Sequence, residues 1–275
     1  MPIPSITAVR RRLVAGPGKS FDLSARDTGD RSLFEDKSLA ETSLKKDAAV
    51  INELKDILYA ENKRSILVVL QGMDTAGKSG TIKSVFADTT PLGMQVKAFK
   101  APSTNELARD YLWRVHNAVP KKGHVGIFDR SHYEDVLVVK VRGFASPEDI
   151  ENRYSQINAF EKHLTENGVT IIKCMLNIGY EEQGVRLKER LQESRKFWKF
   201  NPADLEDRAL WKEYMEAYET AVRRCSTRHA PWYVIPSDSR TRRNAMIARL
   251  VRGALEDMKL SWPDTSYKLE DFDFS

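Results

Sequence analysis

The feature that most constrains this fold is a short glycine loop. Residues 72–79 read GMDTAGKS and fit the pattern G-x-x-x-x-G-K-[ST] at every fixed position. An apolar run over 66–70 precedes the loop, and the spacing after it predicts a helix over 78–86. This order predicts a phosphate cradle, in which backbone amides and the positive end of a helix dipole hold phosphate oxygens. Lys78 would add a mobile positive charge, and Ser79 would offer its hydroxyl to a magnesium ion. A glycine turn without a ligand is the alternative.

The composition favours one large domain with a sizeable core. The chain has 275 residues, of which 41% are hydrophobic and 30% are charged. No run approaches the roughly 18 apolar residues of a membrane span, and the first residues lack the apolar region of a secretory signal. Cys174 and Cys225 form no Cys-x-x-Cys motif, which argues against a zinc or redox site. We therefore expect a cytoplasmic protein that binds no membrane.

Short apolar runs alternate with helical patterns along most of the chain. The predicted strands are 65–71, 96–99, 124–128, 169–176 and 232–235. The predicted helices are 47–62, 78–86, 104–117, 147–166, 181–194, 202–228 and 239–259. This alternation predicts an α/β fold, with a five-stranded parallel sheet flanked by helices.

The domain organisation is predicted from changes in composition. Residues 1–42 mix Pro, Gly, Ser and charges, and we expect them to form an N-terminal arm. Residues 43–260 would form the main domain, and 261–275 an acidic C-terminal tail. Within the main domain, a segment over about 181–208 is more charged than its surroundings and is predicted to form a mobile subdomain.

The net charge of +5 is small, but basic residues are concentrated in two segments. Residues 183–200 contain six basic and two acidic side chains, and residues 221–252 contain eight arginines and one acid. Such clusters suit a polyanionic ligand. The alternative for each cluster alone is a solvated helix face.

A second group of polar residues follows the third predicted strand. Asp129 would lie at the carboxyl end of that strand beside the glycine loop, where an acid can hold magnesium directly or through water. Arg130 could clamp two phosphate oxygens. Asp74, inside the loop, either binds the metal, helps to activate an acceptor phosphate, or hydrogen-bonds loop amides. His132 lacks a second ligand and is interpreted as a structural or surface residue.

Four blocks of this sequence resemble polyphosphate kinase family 2. In chain order they are GMDTAGKSGTIKSVF, FKAPSTNEL, GIFDRSHYEDVLVV and RLKERLQESRKFWKFNPADLEDR. The resemblance extends over about residues 35–260. It implies a thymidylate-kinase-like P-loop fold, a three-layer sandwich with a helical lid over about 181–208. It also implies magnesium-dependent phosphoryl transfer between inorganic polyphosphate and nucleotides, from ADP to ATP and also from AMP to ADP.

The resemblance also implies roles for individual residues. The catalytic set is Asp74, Lys78, Asp129 and Arg130. The phosphate- and nucleotide-binding set is Gly72, Met73, Thr75, Ala76, Gly77, Ser79, Lys100 and Glu134. The metal ligands are Asp74, Asp129 and Ser79, and the basic lid residues for polyphosphate are Arg186, Arg190, Lys199 and Arg208. Glu134, an acid after Tyr133, favours the class III members, which phosphorylate both nucleoside mono- and diphosphates.

The expected partners are inorganic polyphosphate and adenine nucleotides, with guanine nucleotides as a second candidate, and no nucleic acid. The family resemblance suggests a homodimer or homotetramer. One alternative is an ATP-dependent nucleoside monophosphate kinase of the thymidylate-kinase type, which a test of polyphosphate as the only donor would separate. The other is a basic nucleic-acid-binding protein, whose binding should fall steeply with salt.

Overall fold

A computed structural model describes residues 2–16, 21–264 and 266–273. The strands are β1 (Ser65–Gln71), β2 (Met94–Ala98), β3 (Val125–Asp129), β4 (Val169–Asn177) and β5 (Trp232–Pro236). The helices are α1 (Ile6–Leu13), α2 (Lys37–Glu61), α3 (Lys78–Val85), α4 (Thr104–Leu107), α5 (Trp113–His116), α6 (Val138–Val141), α7 (Pro147–Glu166), α8 (Tyr180–Gln192), α9 (Ala203–Ala209), α10 (Trp211–Cys225) and α11 (Arg240–Asp257). Short 3₁₀ helices cover His132–Val136, Ser194–Lys199 and Leu269–Asp271.

The five strands form a parallel sheet in the order β2-β3-β1-β4-β5, which confirms the predicted fold class. Every residue of β1 is buried, since β3 and β4 flank it and helices cover the sheet. Helices α2, α3 and α11 pack together on one face, whereas α7 and α10 pack on the other. The order places the carboxyl ends of β1, β3 and β4 next to one another, where ligands bind in open α/β sheets.

Two predicted helices are each divided in the structure. The helix predicted over 104–117 is instead α4 and α5, because the Asp110 carboxylate accepts a hydrogen bond from the Leu112 amide (3.0 Å) and makes a turn between them. The helix predicted over 202–228 is instead α9 and α10, which are separated at Leu210.

The sequence pattern did not predict helix α1. Ser5 caps it by accepting a hydrogen bond from the Ala8 amide (3.2 Å). Its Val9 and Leu13 are buried in the main hydrophobic core, so this part of the chain packs against the sheet domain. Of the predicted arm and tail, residues 1, 17–20, 265 and 274–275 lie outside the described residues.

Cys174 and Cys225 are free and buried. Within the described residues, no helix combines the length and apolar character that crossing a membrane requires.

Candidate active site

The glycine loop lies between the end of β1 and the start of α3. Gly72 (φ 152°) and Gly77 (φ 106°) adopt backbone conformations that L side chains rarely adopt. A Cβ on Gly72 would lie 2.7 Å from the carbonyl oxygen of Leu176, and a Cβ on Gly77 would overlap the guanidinium of Arg243. Both glycines are therefore required by backbone conformation and by close packing. Among the described residues, the buried Oγ1 of Thr75 has no hydrogen-bond partner and could donate to a ligand.

Lys78 is buried, and its ammonium group is hydrogen-bonded to the backbone of the loop. Its Nζ donates to the carbonyl oxygens of Gly72 (2.7 Å) and Met73 (3.3 Å). Burial, and then the positive charge of Arg130, lower the pKa of Lys78. The ammonium group therefore stands inside the loop, on the side where phosphates would enter.

Ser79 and Asp129 form a pair of hard oxygen groups at the sheet edge. Asp129 ends β3 opposite Leu70 of β1, and its Oδ2 accepts a hydrogen bond from the Ser79 hydroxyl (2.9 Å). In the described part of the chain, no three histidine, cysteine or carboxylate side chains cluster so that they could hold a metal alone. Magnesium usually binds one or two carboxylates and completes its shell with water and phosphate oxygens, so the Ser79–Asp129 pair fits it.

Arg130 joins two carboxylates from different parts of the chain. Its Nη2 lies 2.6 Å from Asp74 Oδ1, and its Nη1 lies 3.3 Å from Glu134 Oε2. Gln71 donates to the other oxygen of Glu134 (3.1 Å). Asp74 is thus ion-paired to Arg130 through Oδ1. Burial acts to raise the pKa of Asp74, but the charges of Arg130, Lys78 and others nearby hold it below its ordinary value.

A buried network behind the site fixes the segment that carries Arg130 and Glu134. Lys173 Nζ, on β4, donates to Tyr133 OH (2.7 Å) and to Glu161 Oε2 (2.5 Å), and Glu161 also contacts His132 Nε2 (3.2 Å). His132 is therefore structural. The network was missed from sequence, although a lysine inside the apolar run 169–177 was a signal, since buried charges need partners.

The predicted lid segment consists of α8, the 3₁₀ helix Ser194–Lys199 and α9. Arg190 Nη1 donates to Asp204 Oδ2 (2.7 Å) and to the Lys199 carbonyl oxygen (2.9 Å), which ties these three elements together. The positive charge of Arg190 also contributes to the lowered pKa of Asp74. Burial, and then the negative charge of Asp74, raise the pKa of Asp204 to about 6. Helix α8, which carries Arg190, contacts the glycine loop directly, since Arg186 on the same helix donates to the Thr75 carbonyl oxygen (3.1 Å).

The other predicted lid residues have different surroundings. Arg186 is almost fully buried and donates to backbone carbonyl oxygens of the loop and of Ser237 and Asp238, so its guanidinium is engaged within the protein. Arg208 donates to the Tyr180 carbonyl oxygen (2.6 Å) and stacks on the Tyr180 ring.

Two predicted lysines leave their side chains accessible. Lys199 is exposed, with its Nζ 5.1 Å from the centre of the Trp198 ring. Lys100 is exposed and lies two residues beyond the end of β2, the strand that pairs with β3. The structure thus brings Asp74, Lys78, Arg130 and Glu134 together with the Ser79–Asp129 pair at the glycine loop, whereas the side chains of Lys100 and Lys199 are exposed.

Most arginines of the basic segment 221–252 are used inside the fold. Six of the eight have partners that the structure identifies: Arg224 with Glu151, Arg240 with Glu189, Arg242 with backbone carbonyls, Arg243 with Ala76, and Arg249 and Arg252 with Asp47. This segment therefore does not present a continuous free cationic face for a nucleic acid.

Three comparisons with known proteins agree on one family. The family model described as polyphosphate kinase 2 matches residues 16–263. The chain is 46% identical over 252 residues to an AMP/ADP-polyphosphate phosphotransferase of Meiothermus ruber, covering 90% of this chain and 93% of that protein. It is 35% identical to an ADP-polyphosphate phosphotransferase of Rhodopseudomonas palustris, covering 91% of both chains. The crystal structure of a polyphosphate kinase 2 from Arthrobacter aurescens TC1 superposes with a TM-score of 0.92, at 38% identity, over 98% of this chain and 96% of that one.

Proposed function

Because this chain belongs to the polyphosphate kinase 2 family, we propose that it transfers phosphoryl groups between inorganic polyphosphate and nucleotides. The observation that carries the proposal is that the phosphate loop, the adjacent residues Asp129 and Arg130, and the lid helix α8 meet at one edge of the sheet, where Ser79 contacts Asp129, Asp74 contacts Arg130 and Arg186 contacts the loop. One crevice can then hold two polyanions, one on the loop and one beneath the lid. The relatives named above as AMP/ADP- and ADP-polyphosphate phosphotransferases support this pairing of substrates.

We place the terminal phosphates of the nucleotide on the loop and the polyphosphate chain along the lid. In the forward reaction, an oxygen of the ADP β-phosphate forms a bond to the terminal phosphorus of polyphosphate. The bond from that phosphorus to its bridging oxygen breaks, and the shortened polymer leaves. Phosphoryl transfer needs alignment and charge stabilisation more than covalent help.

We assign each residue of the site a role in alignment or charge stabilisation according to its position. Lys78 reaches phosphate oxygens from inside the loop, and Arg130 stabilises negative charge on the transferred group. Asp129 and Ser79 would hold magnesium, which when bound neutralises phosphate charge. Asp74 holds the fork of Arg130 in place at 2.6 Å, and Glu134 holds its other side.

AMP is a second proposed acceptor. Glu134 is ion-paired with Arg130 (3.3 Å), and the Meiothermus ruber relative is named for both AMP and ADP. Guanine nucleotides as further acceptors, and a homodimer or homotetramer as the assembly, are also proposed. A nucleotide panel and light scattering of the purified protein test these two points.

The proposed function is tested by restricting the donor. The protein is incubated with ADP, magnesium and polyphosphate, with no other nucleotide present, and ATP is measured. We expect ATP to form in proportion to the polyphosphate supplied. Parallel reactions offer AMP with ATP as the only donor, and a preference for that pair would instead indicate an ATP-dependent monophosphate kinase.

A further inference from the structure

A buried arginine from the last helix lies directly beneath the phosphate loop. Arg243, on α11, is only 2% exposed. Its Nη1 donates to the carbonyl oxygen of Ala76 (2.8 Å), and its Nε and Nη2 donate to Asn244 Oδ1 (3.1 and 2.9 Å). Arg243, although distant in sequence, is thus hydrogen-bonded to the backbone of the loop.

The charge of Arg243 has no acidic partner among the residues that the structure describes. None of the ion pairs there includes Arg243, whereas Arg249 on the same helix pairs with Asp47 at 3.0 Å. Burial lowers the pKa of Arg243 to about 9, with smaller contributions from Arg186 and Arg240, so the group stays charged at neutral pH. An uncompensated buried charge is costly, and a hydrophobic residue would avoid that cost.

The position of Arg243 sets the direction of one loop amide. The peptide between Ala76 and Gly77 is trans, since the described chain contains no cis peptide bond. The Gly77 N–H therefore points away from the carbonyl oxygen that Arg243 holds. Arg186 makes a second contact with the same backbone, because its Nη1 donates to the carbonyl oxygens of Thr75 (3.1 Å) and Ala76 (3.4 Å).

Gly77 leaves room for this contact. A Cβ at that position would overlap the guanidinium of Arg243, and the positive φ of 106° also requires glycine. The glycine of the loop and the arginine of the last helix are therefore a matched pair.

We propose that Arg243 is a positioning residue for the phosphate loop: it turns the loop amide of Gly77 toward the ligand, and phosphate oxygens of the bound nucleotide balance its charge. This inference rests on the proposed function of the loop as a nucleotide phosphate site. Arg243 acts through the loop backbone and does not itself touch the reacting atoms.

The test compares Arg243→Met with Arg242→Met. Arg242 is the adjacent residue and also donates to two backbone carbonyls, those of Phe34 and Glu35 (2.6 Å each), but away from the loop. For each protein, the melting temperature is measured with magnesium in the presence and absence of ADP, and kcat and both KM values are determined. Arg243→Lys, which keeps the charge but not the fork, is measured beside them.

We expect Arg243→Met to raise the KM for ADP about tenfold, to leave the KM for polyphosphate less changed, and to lose most of the ADP-induced rise in melting temperature. Arg243→Lys should fall between Arg243→Met and the unmodified protein. Arg242→Met should keep the full ADP-induced rise, whatever its effect on the melting temperature without ligand. If Arg243→Met does not fold, the same comparison is made between Arg243→Lys and Arg242→Lys.

Equal ADP-induced rises in the Arg243 and Arg242 variants would overturn the inference, since Arg243 would then be a structural residue only. That result leaves the proposed function standing as long as the unmodified protein makes ATP from polyphosphate. An unmodified protein that neither binds ADP nor uses polyphosphate would instead overturn the proposed function.

Discussion

Asp129 carries the clearest prediction at the scale of a single residue. Asn in its place keeps an oxygen that can accept the Ser79 hydrogen bond, which is 2.9 Å long, but removes the negative charge. Because magnesium binding depends on that charge, we expect Asp129→Asn to lower kcat about a thousandfold while the circular dichroism spectrum stays unchanged.

Asp149→Asn is the matched control for this change. Asp149 also accepts a hydrogen bond from a serine hydroxyl, that of Ser146 (2.7 Å), but this pair is exposed and has no role in the proposed site. Near-normal turnover of Asp129→Asn at the same magnesium concentration would show that Asp129 is not a metal ligand.

Glu161 carries a prediction about stability. It is fully buried and lies 2.5 Å from Lys173, so Glu161→Gln would leave a buried ammonium without its carboxylate. We expect the free energy of unfolding to fall by about 3 kcal/mol, measured by urea denaturation at pH 7.

Glu166→Gln on the same helix is the control for this loss. Glu166 is exposed and lies 3.6 Å from Lys162, so its replacement should change stability little. A similar free energy of unfolding for both variants would mean that the Lys173 network does not hold this part of the fold.

At the scale of elements, the lid contains an acid whose pKa is raised to about 6, chiefly by burial. Asp204 is ion-paired with Arg190 (2.7 Å), and the charges of Asp74, Arg130 and Asp207 also act on it. Its pKa of about 6 lies above the ordinary value of 3.8, so the native state binds this proton more tightly than the unfolded state. The resulting stabilisation is present at low pH and is lost as pH rises through about 6.

The same titration should affect substrate binding. Ionised Asp204 repels a polyanion and forms an ion pair with Arg190, whereas the neutral acid loses the repulsion and the charge of that pair. We expect the KM for polyphosphate to rise about fivefold between pH 5.5 and 7.5 in the unmodified protein, and clearly less in Asp204→Asn. Polyphosphate itself titrates in this pH range, and its effect on KM is the same for both proteins, so it cancels in the comparison. Identical pH profiles for the two proteins would contradict this role for Asp204.

The elements differ in how well sequence patterns predicted them. All five strands were predicted within a few residues, because short apolar runs bounded by turns are typical of a buried parallel sheet. The predicted helix over 104–117 was wrong as one element because Asp110 can close a turn that periodicity does not register. Helix α1 was missed because only its packing against α11 and β5 shows which of its residues face the core.

At the scale of the whole molecule, the loop motif predicted where the site lies but not which distant residues hydrogen-bond to the loop. Residues 72–79 and Asp129 were predicted because a local pattern marks them. The contacts of Arg186 and Arg243 with the loop join residues that are more than a hundred positions apart, so no local pattern could reveal them. The basic segments likewise suggested a free cationic surface, whereas most of the arginines over 221–252 hold the fold together.

The most direct test follows label from polyphosphate to nucleotide. Polyphosphate labelled with phosphorus-32 and unlabelled ADP are given to the unmodified protein and to Lys78→Met, with folding of both checked by circular dichroism. Because Lys78 stands inside the loop, we expect label only in the γ-phosphate of ATP, and transfer at least about a hundredfold slower in Lys78→Met. No labelled ATP from the unmodified protein, or equal rates for the two folded proteins, would contradict transfer at this loop.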